Sequence, residues 1–199
     1  ATDRVVSTSG TYNTISSAIA ASSDGDRILV ASGNYAESIA ITQSLSLLPL
    51  SESGRYTITG SLALVNASGK SILLSGCRVL GNISTTGNYS APTVLRIVDA
   101  FARSCDLDEP TLHLEMFRDT VAGELRMCAG TITGCTLYGA PLSSVILRLQ
   151  GGSSLGEESW IVGNAFGSAN SIKTAVRVES TLPFHIENNV FIDNGTAGT

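Results

Sequence analysis

The feature that most constrains this chain is a short pattern recurring at irregular intervals. It places an apolar residue, two others, a small or amide residue, one more, and an apolar residue. The copies read Leu74, Cys77, Val79; Ala102, Cys105, Leu107; Met116, Asp119, Val121; Ile132, Cys135, Leu137; Ile161, Asn164, Phe166; and Ile186, Asn189, Phe191. Such repetition marks a solenoid, because a unit this short cannot bury its apolar face alone.

A second pattern, an apolar-basic-apolar triplet, lies upstream of five of these copies. It reads Leu95-Arg96-Ile97, Leu112-His113-Leu114, Leu125-Arg126-Met127, Leu147-Arg148-Leu149 and Val176-Arg177-Val178. The residues between successive copies vary widely, as they do in coils whose loops differ in length. Stacking such coils at the ~4.8 Å strand spacing satisfies the backbone and aligns equivalent side chains into ladders. The expectation is an all-β, parallel β-helix of about seven or eight coils. A turn ladder would run Cys77, Cys105, Asp119, Cys135, Asn164, Asn189, and an aliphatic one Ile97, Leu114, Met127, Leu149, Val178.

Ahead of the coils, Ile15, Ala18, Ile19 and Ala21 fall near helical spacing. Thr11 or Asn13 can serve as N-cap and Gly25 lies beyond the end, so residues 11–22 are expected to form a short amphipathic helix. From Asp26 the period becomes two, and coils are expected over 26–194 within one domain spanning 1–199.

Composition excludes several classes. Hydrophobic residues make up 43% and charged residues only 15%, which excludes a disordered, charge-solvated chain. No apolar run approaches the ~20 residues of a membrane-spanning helix. A net charge of -5 argues against general affinity for nucleic acid. The four cysteines Cys77, Cys105, Cys128 and Cys135 lack the paired spacing of a zinc site, so no metal centre is expected. The Ser, Thr, Gly and Asn-rich surface suits an extracellular or cell-surface setting.

The stretch from Gly10-Thr11-Tyr12 through Ala18-Ile19-Ala20-Ala21, Asp24-Gly25-Asp26, Ala31-Ser32-Gly33-Asn34-Tyr35 and Ser44-Leu45-Ser46-Leu47 resembles the start of right-handed parallel β-helix proteins of the pectin lyase-like superfamily. Ile186-Glu187-Asn188-Asn189-Val190-Phe191 is similar to a late coil with a stacked asparagine turn. The resemblance implies a right-handed β-helix whose helix caps the first coil. That superfamily holds pectate lyases, pectinesterases, polygalacturonases, phage tailspikes and non-enzymatic surface proteins, so fold leaves function open.

Within the resemblance, Phe117-Arg118-Asp119-Thr120-Val121 faintly resembles the pectinesterase Gln-Asp-Thr-Leu catalytic segment. Arg118 stands where glutamine belongs, and Gly134-Cys135-Thr136-Leu137-Tyr138-Gly139 supplies no second carboxylate. An esterase needs both a nucleophile and an acid/base. Asp119 therefore reads as a turn residue, and no catalytic residue is assigned. A pectate-lyase-like site would use an arginine base and clustered acidic calcium ligands. Asp99, Asp106, Asp108, Glu109 and Glu115 are candidates for such a cluster near Arg96. The chain leans away from enzymatic function, needs no cofactor on this reading, and would take calcium only as a lyase.

Strand alternation places Arg96, His113, Arg126, Arg148 and Arg177 outward on one sheet. Stacked positive charges ~4.8 Å apart repel by about 1 kcal/mol even in water, so something anionic should lie beside them. Glu115 and Glu179 answer internally. An acidic polysaccharide answers externally, through bidentate guanidinium-carboxylate pairing. Trp160 either stacks on a sugar face or joins the core, and its position at a strand start favours the core. Glu157 and Glu158 read as a solvated loop tip. The leading expectation is a non-catalytic surface module binding acidic glycan, with a uronate-directed lyase or hydrolase, or a structural spacer of a surface protein or phage fibre, as alternatives. After Ile192 no amphipathic helix follows, so an oligomer or a longer parent chain is expected to cover the last coil.

Overall fold

A computed structural model describes residues 1–139, 145–168 and 174–192. Among the described residues the regular structure is one helix, Ile15–Ala20, and strands, and every pairing between those strands is parallel. About eight coils stack into a solenoid.

One nine-stranded sheet takes one strand per coil. It runs from Asp3–Val6 through Asp26–Val30, Leu45–Pro49, Ser71–Ser75, Thr93–Val98, Leu112–Phe117, Ala129–Thr133 and Ser159–Val162 to Phe184–Glu187. We call this sheet the wall. Beyond a corner, each coil enters a second sheet of thirteen strands arranged in two columns. The first column includes Tyr56–Ile58, Thr120–Val121, Thr136–Gly139 and Val190–Ile192. The second includes Leu62–Val65, Leu125–Met127, Val145–Leu149 and Thr174–Val178. The long strands Cys77–Thr86 and Phe101–Leu107 pair in both columns.

Coil length varies both in strand length and in the segments between strands, such as residues 150–158 ahead of Ser159–Val162. Only 16 residues separate Asp119 from Cys135, whereas 29 separate Cys135 from Asn164. Inward side chains nevertheless stay in register. Ile28, Leu47, Leu74, Ile97, Met116, Ile132 and Ile161 form one aliphatic column along the wall, none more than 2% exposed. Each such side chain contributes about 2 kcal/mol by leaving water.

The helix is shorter than 11–22. Thr14 is the N-cap, its Oγ1 accepting the Ser17 N–H at 3.1 Å. Glu37, from the following coil, accepts the Ile15 and Ser16 N–H groups at 2.8 and 2.9 Å. Residues before Thr14 are drawn away by a parallel bridge between Val6 and Tyr12. Ile15, Ala18 and Ile19 are buried where the helix meets the first strands.

The expected aliphatic ladder divides in two. Met127, Leu149 and Val178 do pair, in the second column of the second sheet. Ile97 lies on the wall opposite Leu74 and Met116, and Leu114 lies opposite Leu95 and Gly130. The triplet pattern describes any strand with one side inward, so it occurs on both sheets. The C-terminal residues 193–199 lie outside the described residues; the last coil before them exposes Phe184, Ile186, Val190, Phe191 and Ile192.

Candidate functional site

At the corner between the wall and the second sheet, six successive coils from Gly76 onward each set one residue in the left-handed region before one inward residue. The left-handed positions are Gly76, Asp99, Arg118, Gly134, Gly163 and Asn188, with φ between 52 and 67°. The residues that follow them are Cys77, Ala100, Asp119, Cys135, Asn164 and Asn189. From Asp119 onward each side chain accepts the backbone N–H one coil back. Asp119 Oδ1 takes Ala100 at 2.8 Å, Cys135 Sγ takes Asp119 at 3.4 Å, Asn164 Oδ1 takes Cys135 at 2.8 Å, and Asn189 Oδ1 takes Asn164 at 2.8 Å. The asparagines also donate, from Asn164 Nδ2 to the Ile132 carbonyl and from Asn189 Nδ2 to the Ile161 carbonyl. Such a column satisfies corner amides that strand pairing leaves over.

Cys105 does not belong to this column. It lies in the second column of the second sheet, opposite Ile83 and Leu125, and Ala100 occupies its expected rung. Backbone conformation distinguishes them: the residue before a true corner position adopts the left-handed region, as Asp99 and Arg118 do alongside the glycines and Asn188, and Ser104 does not. All four cysteines are free and buried, and burial pushes their thiols up, which leaves them unreactive.

Asp119 is 2% exposed. Burial pushes its carboxyl up to about 7, against the opposing effect of hydrogen bonds from the Ala100 and Phe117 amides. Enclosed in the corner, it offers no face to a substrate. The acidic residues considered for a lyase are also dispersed. Asp99 pairs with Arg118, Glu115 with Arg96, and Asp106 with Arg126 on the other sheet. Among the described residues no three His, Cys, Asp or Glu side chains gather as a metal site.

The five basic triplet residues do not share a sheet. Arg96 and His113 project from the wall, where Arg96 stands opposite Glu115 and His113 opposite Val94. Arg126, Arg148 and Arg177 stack in direct register on the second sheet. Glu124 lies 3.3 Å from Arg126 and 2.8 Å from Arg148, and Glu179 lies 3.2 Å from Arg148 and 2.7 Å from Arg177. Asp106 stands 3.7 Å from Arg126, so three carboxylates match three guanidinium groups. Burial raises the Glu124 carboxyl, but hydrogen bonds from Arg148 and Arg126 outweigh it and hold Glu124 below its ordinary value. Glu124 was legible as a partner, since it lies two residues before Arg126 on the same strand face.

On the wall, Arg96 holds Glu115 with two hydrogen bonds. His113 Nδ1 bonds Glu157, and its Nε2 lies 3.6 Å from Glu115. Glu158 reaches His185 at 3.0 Å. The adjacent glutamates therefore tie their excursion to the wall in two places and are not a free loop tip. Trp160, expected in the core, is 39% exposed on the wall opposite Thr131 and His185. Its ring lies on the His185 imidazole, centroids 3.9 Å apart and planes within 10°. Beside Thr131 the wall recedes into a recess of about 350 Å³ lined by Arg96, His113, Glu115, Phe117, Thr131 and Thr133. The wall thus combines exposed aromatic rings with paired charges and hydroxyls.

No protein-family model matches the chain, and no curated protein matches it. Among solved structures, the pectin methylesterase from Aspergillus niger in deglycosylated form is similar at 13% identity, covering 98% of this chain and 86% of that one with a TM-score of 0.40. The parallel coils, the helix at the first coil and the asparagine corner column are the architecture that the resemblance to the pectin lyase-like superfamily implies.

Proposed function

We propose that this chain is a non-catalytic, extracellular or cell-surface β-helix module whose wall binds a neutral polysaccharide. The observation that carries the reading is the exposed Trp160–His185 stack one coil from the recess that contains Phe117, Thr131 and Thr133. Aromatic faces pack on sugar rings, and hydroxyl, carboxylate and guanidinium groups at fixed spacing meet sugar hydroxyls. A wall of nine stacked strands suits an extended polymer.

Charge favours a neutral ligand over a uronate. Glu115, Glu157, Glu158 and Glu187 flank the recess and stack, against Arg96 and two histidines. The stacked arginines of the second sheet, the original candidates for uronate, are matched by Glu124, Glu179 and Asp106.

The chain contains one tryptophan, so its fluorescence reports on this wall directly. Titration with neutral β-linked oligosaccharides should shift Trp160 emission, and Trp160→Ala should lose retention on the corresponding polymer while keeping its circular dichroism. Unchanged emission with neutral oligosaccharides rejects the reading. Binding of polygalacturonate alone, lost in the Arg126→Ala, Arg148→Ala double variant, would return the site to the second sheet.

A further inference from the structure

Three of the arginines outside the triplets, Arg55, Arg78 and Arg118, form a different site. A groove of about 410 Å³ on the first column of the second sheet, just past the corner, is lined by Arg55, Thr57, Arg78, Asp99, Arg118 and Thr120. It holds three guanidinium groups and one carboxylate. Asp99 is already engaged by Arg118 through two hydrogen bonds of 2.7 Å. Among the described residues neither Arg55 nor Arg78 has a carboxylate within 4.0 Å, the limit for an ion pair. Arg55 Nη1 donates to the Gly54 carbonyl at 2.9 Å, and the Arg78 guanidinium lies 4.3 Å from the centroid of Phe101. In a chain of net charge -5, this groove carries an excess of two positive charges. The matched Arg126–Arg148–Arg177 stack has none.

The backbone adds an independent observation. Arg118 occupies the left-handed corner position at φ 57°, where the next two coils place Gly134 and Gly163. A bulky side chain there is strained, and glycine would fold the corner more easily. The strain delivers a guanidinium to the groove. One coil before Asp99 the corner residue is Gly76, where an added Cβ would press on Pro49 Cγ at 3.0 Å and meet Arg55 Nη1 at an ordinary contact distance of 3.5 Å.

We propose that this groove binds an oxyanion carried on a hydroxylated ligand, a sugar carboxylate or a sugar sulfate ester. Arg78 and Arg55 pair with the oxyanion, since guanidinium groups match its geometry with parallel N–H donors. Thr57 and Thr120 supply hydroxyls to the ring substituents. The site is separate from the wall and independent of what the wall binds.

Calorimetric titration of the whole chain with trigalacturonate, a sulfated trisaccharide of the same size and inorganic sulfate tests this. At least one of the two sugar probes should bind more tightly than inorganic sulfate, and whichever does names the source. Arg78→Gln should weaken that probe about ten-fold or more. Arg118→Gly should weaken it while leaving the melting temperature equal or higher, because the corner relaxes. Trp160→Ala should leave it unchanged. The proposal is overturned if neither sugar probe binds, if Arg78→Gln binds as the wild type does, or if Arg118→Gly lowers the melting temperature and spares binding.

Discussion

The Asp119 carboxylate accepts the Ala100 N–H at 2.8 Å from within a corner column whose later rungs are a thiol and two amides. It is the one acid in that column, and burial holds its carboxyl near 7 instead of the ordinary 3.8. A folded pKa above the unfolded one stabilises fully below the unfolded value and is lost as pH rises through the folded value. Stability should therefore fall by about 2 kcal/mol between pH 5 and pH 8 from this group. Asp119→Asn keeps an oxygen for the Ala100 N–H but sets its amide nitrogen in place of the oxygen that accepts the Phe117 N–H, so it removes the titration and gives up that hydrogen bond. Urea melts of that variant should be flatter across this range than those of the wild type.

Gly130 should tolerate no side chain. Its φ is 141°, and a Cβ there would stand 1.9 Å from the Leu114 carbonyl oxygen of the neighbouring wall strand. Gly130→Ala must separate two coils and should cost about 3 kcal/mol or more. Gly152, at φ 89° with open space around it, is the control. Gly152→Ala carries only backbone strain and should cost about 1 kcal/mol by the same melt.

Glu124 holds apart two arginines that strand register forces together. Arg126 and Arg148 are direct neighbours, and Glu124 lies between their guanidinium groups with its side chain 19% exposed. Glu124→Gln removes the countercharge and leaves the repulsion. The expected loss is about 1 to 2 kcal/mol, larger at low salt. Adding Arg126→Met should recover part of it, which a double-mutant cycle reads as coupling.

The stacking of coils was legible because one position keeps its chemistry: Leu74, Met116, Ile132, Ile161 and Ile186 all project inward from the wall three residues before a corner. The faces were not. Period-two alternation looks the same on either sheet, so Arg96 and Arg126 carry identical local patterns yet lie on different sheets. Cys105 shares its spacing with Cys135 but lacks the left-handed residue before it. Trp160 was identifiable as a candidate, whereas its exposure depends on which neighbours stand one coil away, and coils of 16 and 29 residues hide that from the linear sequence. The groove at Arg55, Arg78 and Arg118 was invisible for the same reason.

Both proposed sites rest on this register, and cysteine cross-linking reads it directly. Adjacent parallel strands bring Cα atoms within the ~4.4 to 6.8 Å that a disulfide spans. The Arg126→Cys, Arg148→Cys pair should therefore oxidise readily in the folded chain, while the His113→Cys, Arg126→Cys pair, neighbours by sequence pattern but on different sheets, should stay reduced under the same conditions. Rapid cross-linking of the second pair and none of the first would contradict the account.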